Sequence, residues 1–223
     1  MEMLQSIMTS LKSSESGFLY TVYAAAMIIG GSQLILFLYS LFEFLHRHFM
    51  RQPHNLYQRY AAGKPGAWAV VTGASDGIGA AFCELLAKEG FNIVLLSRSV
   101  DKMQAVAEKC KAANRGIETM IVQADFSNAG RPKKADVMQF YQGIFDKLKV
   151  LDIAILVNNA GVMYTGRMDA FGPDAPRWKE MLDVNVMHVT MMTTLFKDKL
   201  VARQAAGPAK SALINVSSAM GYL

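Results

Sequence analysis

The stretch AWAVVTGASDGIGAAFCELLAKEG, residues 67–90, places a short apolar run directly before a glycine-rich turn and a helical pattern. The run AWAVVT, at residues 67–72, is almost wholly apolar, which is typical of a strand covered on both faces. The helical pattern starts inside the turn and continues to residue 89. The stretch therefore predicts a buried strand, a tight turn and a helix, the order that opens a βαβ unit.

Short apolar runs and helical segments alternate along the rest of the chain. Four further runs have the composition of buried strands, at residues 92–97, 118–123, 153–158 and 212–217. Helical segments lie near residues 79–89, 101–113, 133–147 and 176–205. This alternation indicates parallel strands joined by helices that cover both faces of the sheet. We therefore predict an α/β fold, a Rossmann-type doubly wound parallel sheet, over residues 67–223.

The glycine-rich turn predicts a site for a phosphate-bearing ligand. Glycines at this spacing permit a tight turn, let the backbone approach a pyrophosphate and allow the helix to pack closely on the strand. The first N–H groups of the helix have no partner within the helix, and they favour a negative charge. We predict that a dinucleotide binds the turn through Gly73, Ser75, Asp76, Gly77, Ile78 and Gly79. A glycine turn that serves packing alone remains the alternative.

The end of the second predicted strand indicates which dinucleotide binds. A site selective for NAD(H) has an acidic residue there, but this chain has Ser97, Arg98 and Ser99. A carboxylate would repel a 2'-phosphate, whereas the guanidinium group of Arg98 would bind one through charge-assisted hydrogen bonds. Arg98 therefore favours NADP(H) as the cofactor. A solvated arginine that merely follows a strand remains the alternative.

A membrane anchor is predicted near the N-terminus, because residues 16–42 carry no charge. A helix needs about 20 apolar residues to span the hydrocarbon of a bilayer. We predict an N-terminal tail at 1–15, a single transmembrane helix at 16–45 and a juxtamembrane linker at 46–66. A cleaved signal peptide and a buried core helix remain alternatives.

The charge on either side of the anchor predicts its orientation. Lys12 precedes the apolar segment, whereas the basic residues that follow it are Arg47, Arg51, Arg59 and Lys64. Positive charge is retained on the cytosolic side, so we expect a cytosolic domain. If the membrane is the mitochondrial inner membrane, the same rule places the domain in the matrix.

The composition excludes several classes of function. Hydrophobic residues make up 52% of the 223 residues and charged residues 18%, which is too apolar for a disordered chain. The net charge is +5, but basic and acidic residues are interspersed, so we predict no nucleic-acid partner. Cys83 and Cys110 belong to no metal-binding pattern, so neither a disulfide framework nor a metal site is predicted.

Several motifs, in order, resemble the short-chain dehydrogenase/reductase family from residue 64 to residue 223. The turn matches the TGxxxGxG motif of the family, and Asp125 in QADF matches the acid that touches the adenine ring. The NNAG motif after the fourth strand is matched by Asn158, Asn159, Ala160 and Gly161. Asn185 in LDVNV matches the active-site asparagine, and Ser218 in INVSS matches the catalytic serine.

The longer matching runs are similar to one membrane-anchored branch of that family. This branch contains 17-beta-hydroxysteroid dehydrogenases and very-long-chain 3-oxoacyl-CoA reductases, and it carries an N-terminal hydrophobic helix. The resemblance implies an NADP(H)-dependent reductase in the membrane of the endoplasmic reticulum that acts on a ketone of a lipidic substrate, a 3-oxoacyl-CoA or a steroid. It also implies that Ser218 holds the substrate oxygen, while Asn185 holds a water of the proton relay. His188, one turn beyond Asn185, is interpreted as a packing residue or a residue of the polar face of its helix.

One motif of the family does not occur in this sequence. The resemblance implies a Tyr-x-x-x-Lys motif about a dozen residues beyond Ser218, and Tyr164 has no lysine four positions on. We therefore expect a sheet that is incomplete at its C-terminal end, with the fifth strand as an uncovered edge. Either a longer protein or a partner subunit would cover that edge. A non-catalytic accessory subunit of a membrane protein complex remains the alternative function.

Overall fold

The computed structural model describes residues 2–50, 55–128, 135–164 and 176–218. The chain divides into two compact units between residues 53 and 54.

The N-terminal unit is helical. Helix α1 spans Glu2–Leu45, and a π-helical turn, His46–Met50, follows it. Within the described residues, one helical segment, Ala24–Met50, is long and apolar enough to cross a membrane. Its polar Ser32 donates a hydrogen bond to the carbonyl oxygen of Ile29 at 2.8 Å, so that hydroxyl is satisfied within the helix. The predicted apolar helix is therefore present, and it continues through the predicted tail.

A short helix lies in the segment predicted to be a linker. Helix α2 spans Leu56–Ala61, and the Asn55 side chain caps it by accepting a hydrogen bond from the Gln58 N–H group. The ring of Tyr57 packs edge-on against Phe91, with the ring centroids 5.1 Å apart. The second half of the predicted linker is therefore part of the folded domain, because an aromatic side chain anchors it to the core.

Five parallel strands form the sheet of the second unit. They are β1 Ala67–Thr72, β2 Asn92–Ser97, β3 Thr119–Gln123, β4 Asp152–Asn158 and β5 Ala212–Asn215. Their order is β3-β2-β1-β4-β5, so β5 is an edge of the described sheet, as predicted. The bounds of β1 and β2 agree with the prediction, whereas β3 begins one residue later, β4 begins one residue earlier and β5 ends two residues earlier than predicted.

Helices cover both faces of the sheet. They are α3 Gly77–Glu89, α4 Val100–Ala113, α5 Ala135–Leu148, α6 Pro176–Leu182 and α7 His188–Ala205. Alternate residues of β1 point to opposite faces of the sheet and so contribute to two separate cores. Ala69 and Val71 are buried in the core beneath α3 and α4. Trp68 and Val70 are buried in the core beneath α5 and α7. The predicted doubly wound architecture is confirmed.

The last predicted helix has a break in its hydrogen-bond pattern. A π-helical turn, Asp183–Met187, joins α6 to α7. Such turns insert an extra residue into a helix and are frequent at functional sites. Asn185 lies at the centre of this turn.

Candidate functional site

The loops that follow β1, β2, β3 and β4 meet at the carboxyl edge of the sheet and surround a cleft of about 280 Å³. Strand order reverses beside β1, and ligands of open α/β sheets bind at such a point. The side chains and backbone that line the cleft come from Gly73, Ser75, Asp76, Ser97, Arg98, Ala124, Asp125, Phe126, Ser127, Asn159, Ala160, Gly161, Val162, Glu180 and Val184.

The three glycines of the turn differ in their surroundings. Gly73 has φ +66°, and a Cβ there would lie 2.9 Å from the Cα of Ala160. Gly77 has φ +54°, and a Cβ there would meet nothing within 4 Å. A Cβ at Gly79 would lie only 2.3 Å from the carbonyl oxygen of Gly73. Gly73 therefore serves the tight turn, Gly79 serves close packing, and Gly77 leaves open space beside the helix N-terminus.

Thr72 holds the turn against the loop that follows β4. Its hydroxyl accepts hydrogen bonds from the N–H groups of Asn159 at 2.9 Å and Ala160 at 3.0 Å. It donates one to the carbonyl oxygen of Val157 at 3.3 Å. The Asn159 side chain in turn donates to the carbonyl oxygen of Thr72 at 3.0 Å. Sequence analysis missed this role of Thr72. The one signal for it was that Thr72 is a polar residue at the end of an apolar strand.

Asp76 caps α3 at the mouth of the cleft. Its carboxylate accepts a hydrogen bond from the Gly77 N–H group at 2.8 Å and pairs with the Lys102 ammonium group at 3.1 Å. The hydrogen bond and the charge of Lys102 lower the pKa of Asp76, so it is ionised at neutral pH. A hydrogen bond between the hydroxyls of Ser97 and Ser75, at 2.9 Å, joins the loops after β2 and β1 beside it.

Arg98 lines the cleft from the loop after β2. Its carbonyl oxygen accepts a hydrogen bond from the side chain of Gln123 at 3.1 Å, which ties this loop to β3. The guanidinium group therefore extends from a positioned backbone. Arg98 supplies a positive charge among the carboxylates of Asp76, Asp125 and Glu180.

Asp125 and Phe126 form the floor of the cleft on the β3 side. The Asp125 carboxylate accepts hydrogen bonds from both the N–H group and the hydroxyl of Ser127, at 3.1 and 2.7 Å. These bonds fix the carboxylate in the cleft lining. The ring of Phe126 is buried and offers an apolar surface next to this acceptor.

Asn185 binds the backbone of the loop that follows β4. Its side-chain oxygen accepts the Val162 N–H group at 2.9 Å, and its amide donates to the Val162 carbonyl oxygen at 2.7 Å. The predicted active-site asparagine therefore positions a residue of the cleft lining. Ser218 is exposed, three residues beyond the carboxyl end of β5, and it does not line the cleft.

A hydrogen-bonded pair that sequence analysis missed lies where the loop after β4 meets α6. The Tyr164 hydroxyl donates to the Glu180 carboxylate at 2.5 Å, and the guanidinium group of Arg177 lies 5.3 Å from the centroid of the tyrosine ring. The hydrogen bond to Glu180 raises the pKa of Tyr164, so the phenol is protonated at neutral pH.

His188 is buried beneath the cleft. Its ring is fully excluded from solvent and lies 4.3 Å, centroid to centroid, from the Phe126 ring. Burial lowers the pKa of His188 to about 4, so the imidazole is neutral at physiological pH. Its Nδ1 lies 3.1 Å from the carbonyl oxygen of Val184. The interpretation of His188 as a packing residue agrees with this burial.

The two cysteines are free and lie in the core. Burial raises the pKa of the Cys110 thiol to about 11 and that of Cys83 further, so neither is a reactive thiolate. Among the described residues, no cluster of three histidine, cysteine or carboxylate side chains could hold a metal ion.

The structure brings together most of the residues that the sequence predicted for cofactor binding. Eight of them line the cleft, namely Gly73, Ser75, Asp76, Arg98, Asp125, Asn159, Ala160 and Gly161. Gly77, Ile78 and Gly79 do not line it, because they form the first turn of α3.

The model of a protein family described as short chain dehydrogenase matches residues 67–223. The chain belongs to the short-chain dehydrogenase family. The match includes β1, the glycine-rich turn and every strand of the sheet.

Curated relatives resemble the chain over its short-chain dehydrogenase domain. The hydroxysteroid dehydrogenase-like protein 1 of Gallus gallus is 40% identical over 154 residues, which cover 69% of this chain and 42% of the relative. The very-long-chain 3-oxoacyl-CoA reductase of Homo sapiens is 36% identical over 166 residues, which cover 71% of this chain and 46% of the relative. The chain thus spans about half the length of the relatives it matches.

A solved structure has the same short-chain dehydrogenase fold. It is a metagenomic short-chain oxidoreductase in complex with NADP, with 31% sequence identity and a TM-score of 0.56. The match covers 69% of this chain and 63% of that chain.

Proposed function

We propose that the cleft binds NADP(H), and that the protein acts as a membrane-anchored oxidoreductase that reduces a ketone of a lipidic substrate, a 3-oxoacyl-CoA or a steroid. The observation that carries the proposal is the combination, around one cleft, of the glycine-rich turn and Arg98. The solved relative that holds NADP supports the same cofactor.

The residues of the cleft fit such a cofactor. Gly77 follows the lining residue Asp76, and the open space beside it, which a Cβ would enter, leaves room for a pyrophosphate next to the first N–H groups of α3. Asp125 and Phe126 offer an acceptor and an apolar surface to an adenine ring. Arg98 would hold the 2'-phosphate through charge-assisted hydrogen bonds.

Ser218 and Asn185 would serve the reaction from the same edge of the sheet. Bound nicotinamide supplies a hydride to a carbonyl carbon. Ser218 follows β5, whose carboxyl end lies at the edge that carries the glycine-rich turn, and its hydroxyl would hold the substrate oxygen. Asn185 would keep Val162 in place and so preserve the shape of the cleft.

A membrane anchor would suit a lipidic substrate. The segment Ala24–Met50 would hold the domain beside the phase in which such substrates concentrate, with the domain in the cytosol. The relatives named as very-long-chain 3-oxoacyl-CoA reductases support acyl-CoA substrates. Extraction of cell membranes with alkaline carbonate tests the anchor. We expect the protein to stay in the membrane fraction, and release into the supernatant would contradict anchoring.

Thermal unfolding of the full chain with either cofactor tests the proposed site. We expect NADPH to raise Tm more than NADH does, because only NADPH carries a 2'-phosphate for Arg98. The variant Arg98→Met should lose this difference and keep the shift that NADH produces. Arg115→Met removes an equal charge from an exposed position before β3 and serves as the matched control.

The outcomes of that experiment separate the cofactor from the activity. Equal shifts with both cofactors would contradict the preference for NADP(H). No shift with either would contradict a cofactor site and favour the accessory subunit. If NADPH binds, activity of the intact protein on a 3-oxoacyl-CoA and on a steroid ketone decides the substrate class.

A further inference from the structure

Lys102 lies in the first turn of α4, and its ammonium group reaches the glycine-rich turn. The distance from its Nζ to the Oδ2 of Asp76 is 3.1 Å. Asp76 lines the same cleft as Arg98, and the hydroxyl pair of Ser75 and Ser97 lines it as well. Lys102 does not itself line the cleft, but the salt bridge places its ammonium group beside Asp76, which does.

We propose that Lys102 is a second specificity-determining residue, which contacts the 2'-phosphate of NADP(H) together with Arg98. This inference rests on the proposed function, since it assumes that the cleft binds a nicotinamide cofactor. It adds a residue from a different element, because Arg98 belongs to the loop after β2 and Lys102 to α4.

The cleft lining contains the carboxylates of Asp76, Asp125 and Glu180 and one basic side chain, that of Arg98. Lys102 pairs with the carboxylate of Asp76, so this neighbour does not offset the positive charge of Arg98. Two basic groups on this side of the cleft complement a phosphate group. The start of α4 adds to this preference, because Ser99 makes no side-chain capping hydrogen bond to its first N–H groups.

Lys102 is free to change partner. The Lys102 side chain is 61% exposed and that of Asp76 is 79% exposed. An exposed ion pair contributes little to stability, because water competes for both groups. Asp76 keeps its hydrogen bond from the Gly77 N–H group when the ammonium turns toward a phosphate. The salt bridge thus holds the ammonium near the site until the ligand binds.

The affinities for NADPH and NADH distinguish a direct contact between Lys102 and the 2'-phosphate from an indirect effect of Lys102 through Asp76. A contact with the 2'-phosphate affects NADPH alone, because NADH has a hydroxyl at that position. An effect through Asp76 affects both cofactors, because an unpaired carboxylate beside the turn would repel the pyrophosphate that both contain. A direct contact therefore changes the ratio of the two affinities, whereas an indirect effect leaves the ratio unchanged.

The test is the dissociation constant of NADPH and of NADH for the full chain and for Lys102→Met, which keeps the length of the side chain. We expect Lys102→Met to weaken NADPH binding by about tenfold, the loss of one charge-assisted hydrogen bond, and NADH binding by less than about twofold. The matched control is Lys109→Met, on the same helix, whose ammonium lies 3.8 Å from the carboxylate of Glu84 and forms no salt bridge with Asp76. It should change neither affinity.

A second measurement uses fragments that contain only the adenosine end of the cofactor, and it compares their affinities for the two chains. Adenosine 2',5'-bisphosphate should lose affinity for Lys102→Met, and AMP should not. An equal loss for both cofactors, or an unchanged affinity for NADPH, would overturn the role of Lys102 while leaving the proposed cofactor site intact. If the unsubstituted chain binds neither cofactor, the proposed function fails, and this inference fails with it.

Discussion

The hydroxyl of Thr72, at the end of β1, accepts the backbone N–H group of Asn159, just beyond the end of β4, at 2.9 Å. The Asn159 side chain returns a hydrogen bond to the Thr72 carbonyl oxygen at 3.0 Å. Thr72 is fully buried, so water does not replace these bonds. Two adjacent strands are therefore joined at the point where the glycine-rich turn begins.

Replacement of Thr72 by valine should destabilise the domain. Valine has a similar shape but leaves the N–H groups of Asn159 and Ala160 without their acceptor. We expect the free energy of unfolding to fall by about 2 to 3 kcal/mol, as measured by urea denaturation. Thr72→Ser keeps the hydroxyl and is the control. If Thr72→Val lost no more stability than Thr72→Ser, the hydrogen bonds of the hydroxyl would not account for the effect.

Alanine at three glycines should have three different effects. Gly79→Ala should lower the free energy of unfolding by about 3 kcal/mol, because its Cβ meets the backbone oxygen of Gly73 at 2.3 Å. Gly77→Ala should cost about 1 kcal/mol for its positive φ and should also abolish cofactor binding. Gly143→Ala, within α5 and with nothing within 4 Å, should stabilise the domain by about 1 kcal/mol.

Urea unfolding and cofactor titration of these variants distinguish packing from binding. The decisive comparison is between the unfolding free energies and the cofactor affinities of Gly77→Ala and Gly79→Ala. Normal cofactor affinity in a folded Gly77→Ala variant would refute the idea that the space beside Gly77 holds a pyrophosphate.

His188 should make the domain less stable at mildly acidic pH. Its pKa in the folded state is about 4, below the ordinary value of 6.5, so the unfolded chain takes up the proton first. Above about pH 6.5, the neutral ring makes its whole contribution to the free energy of unfolding. This contribution is lost as the pH falls toward 4. The loss approaches about 3 kcal/mol at the lower end of this range.

The variant His188→Leu tests this dependence. It should remove most of the slope of unfolding free energy between pH 7 and pH 5, because leucine cannot take up a proton. The measurement is urea denaturation at several pH values. An unchanged slope in His188→Leu would assign the pH dependence to other groups.

Ser218→Ala and Asn185→Ala should separate chemistry from positioning in the intact protein. Ser218→Ala should lower kcat and leave NADPH affinity nearly unchanged, because Ser218 does not line the cleft. Asn185→Ala should weaken NADPH binding, because it releases both hydrogen bonds to Val162, a residue of the lining. Steady-state kinetics and cofactor titration measure the two effects. Unaltered turnover in Ser218→Ala would rule out its role.

The sequence by itself determined the five strands, their parallel direction and the glycine-rich turn. Buried parallel strands are short apolar runs, and tight turns require glycine, so both features are local properties of the chain. The presence of an apolar helix long enough to span a membrane was also local, since composition and length alone define it.

Only the tertiary structure decided which distant residues act together. Thr72 binds a loop 87 positions away, and Lys102 reaches Asp76 across 26 positions. The helix at Leu56–Ala61 has no apolar period in its sequence, and it packs because Tyr57 meets Phe91. The two bonds from Asn185 to Val162 likewise depend on a π-helical turn. Such contacts arise from the packing of elements against each other, and no short stretch of sequence encodes them.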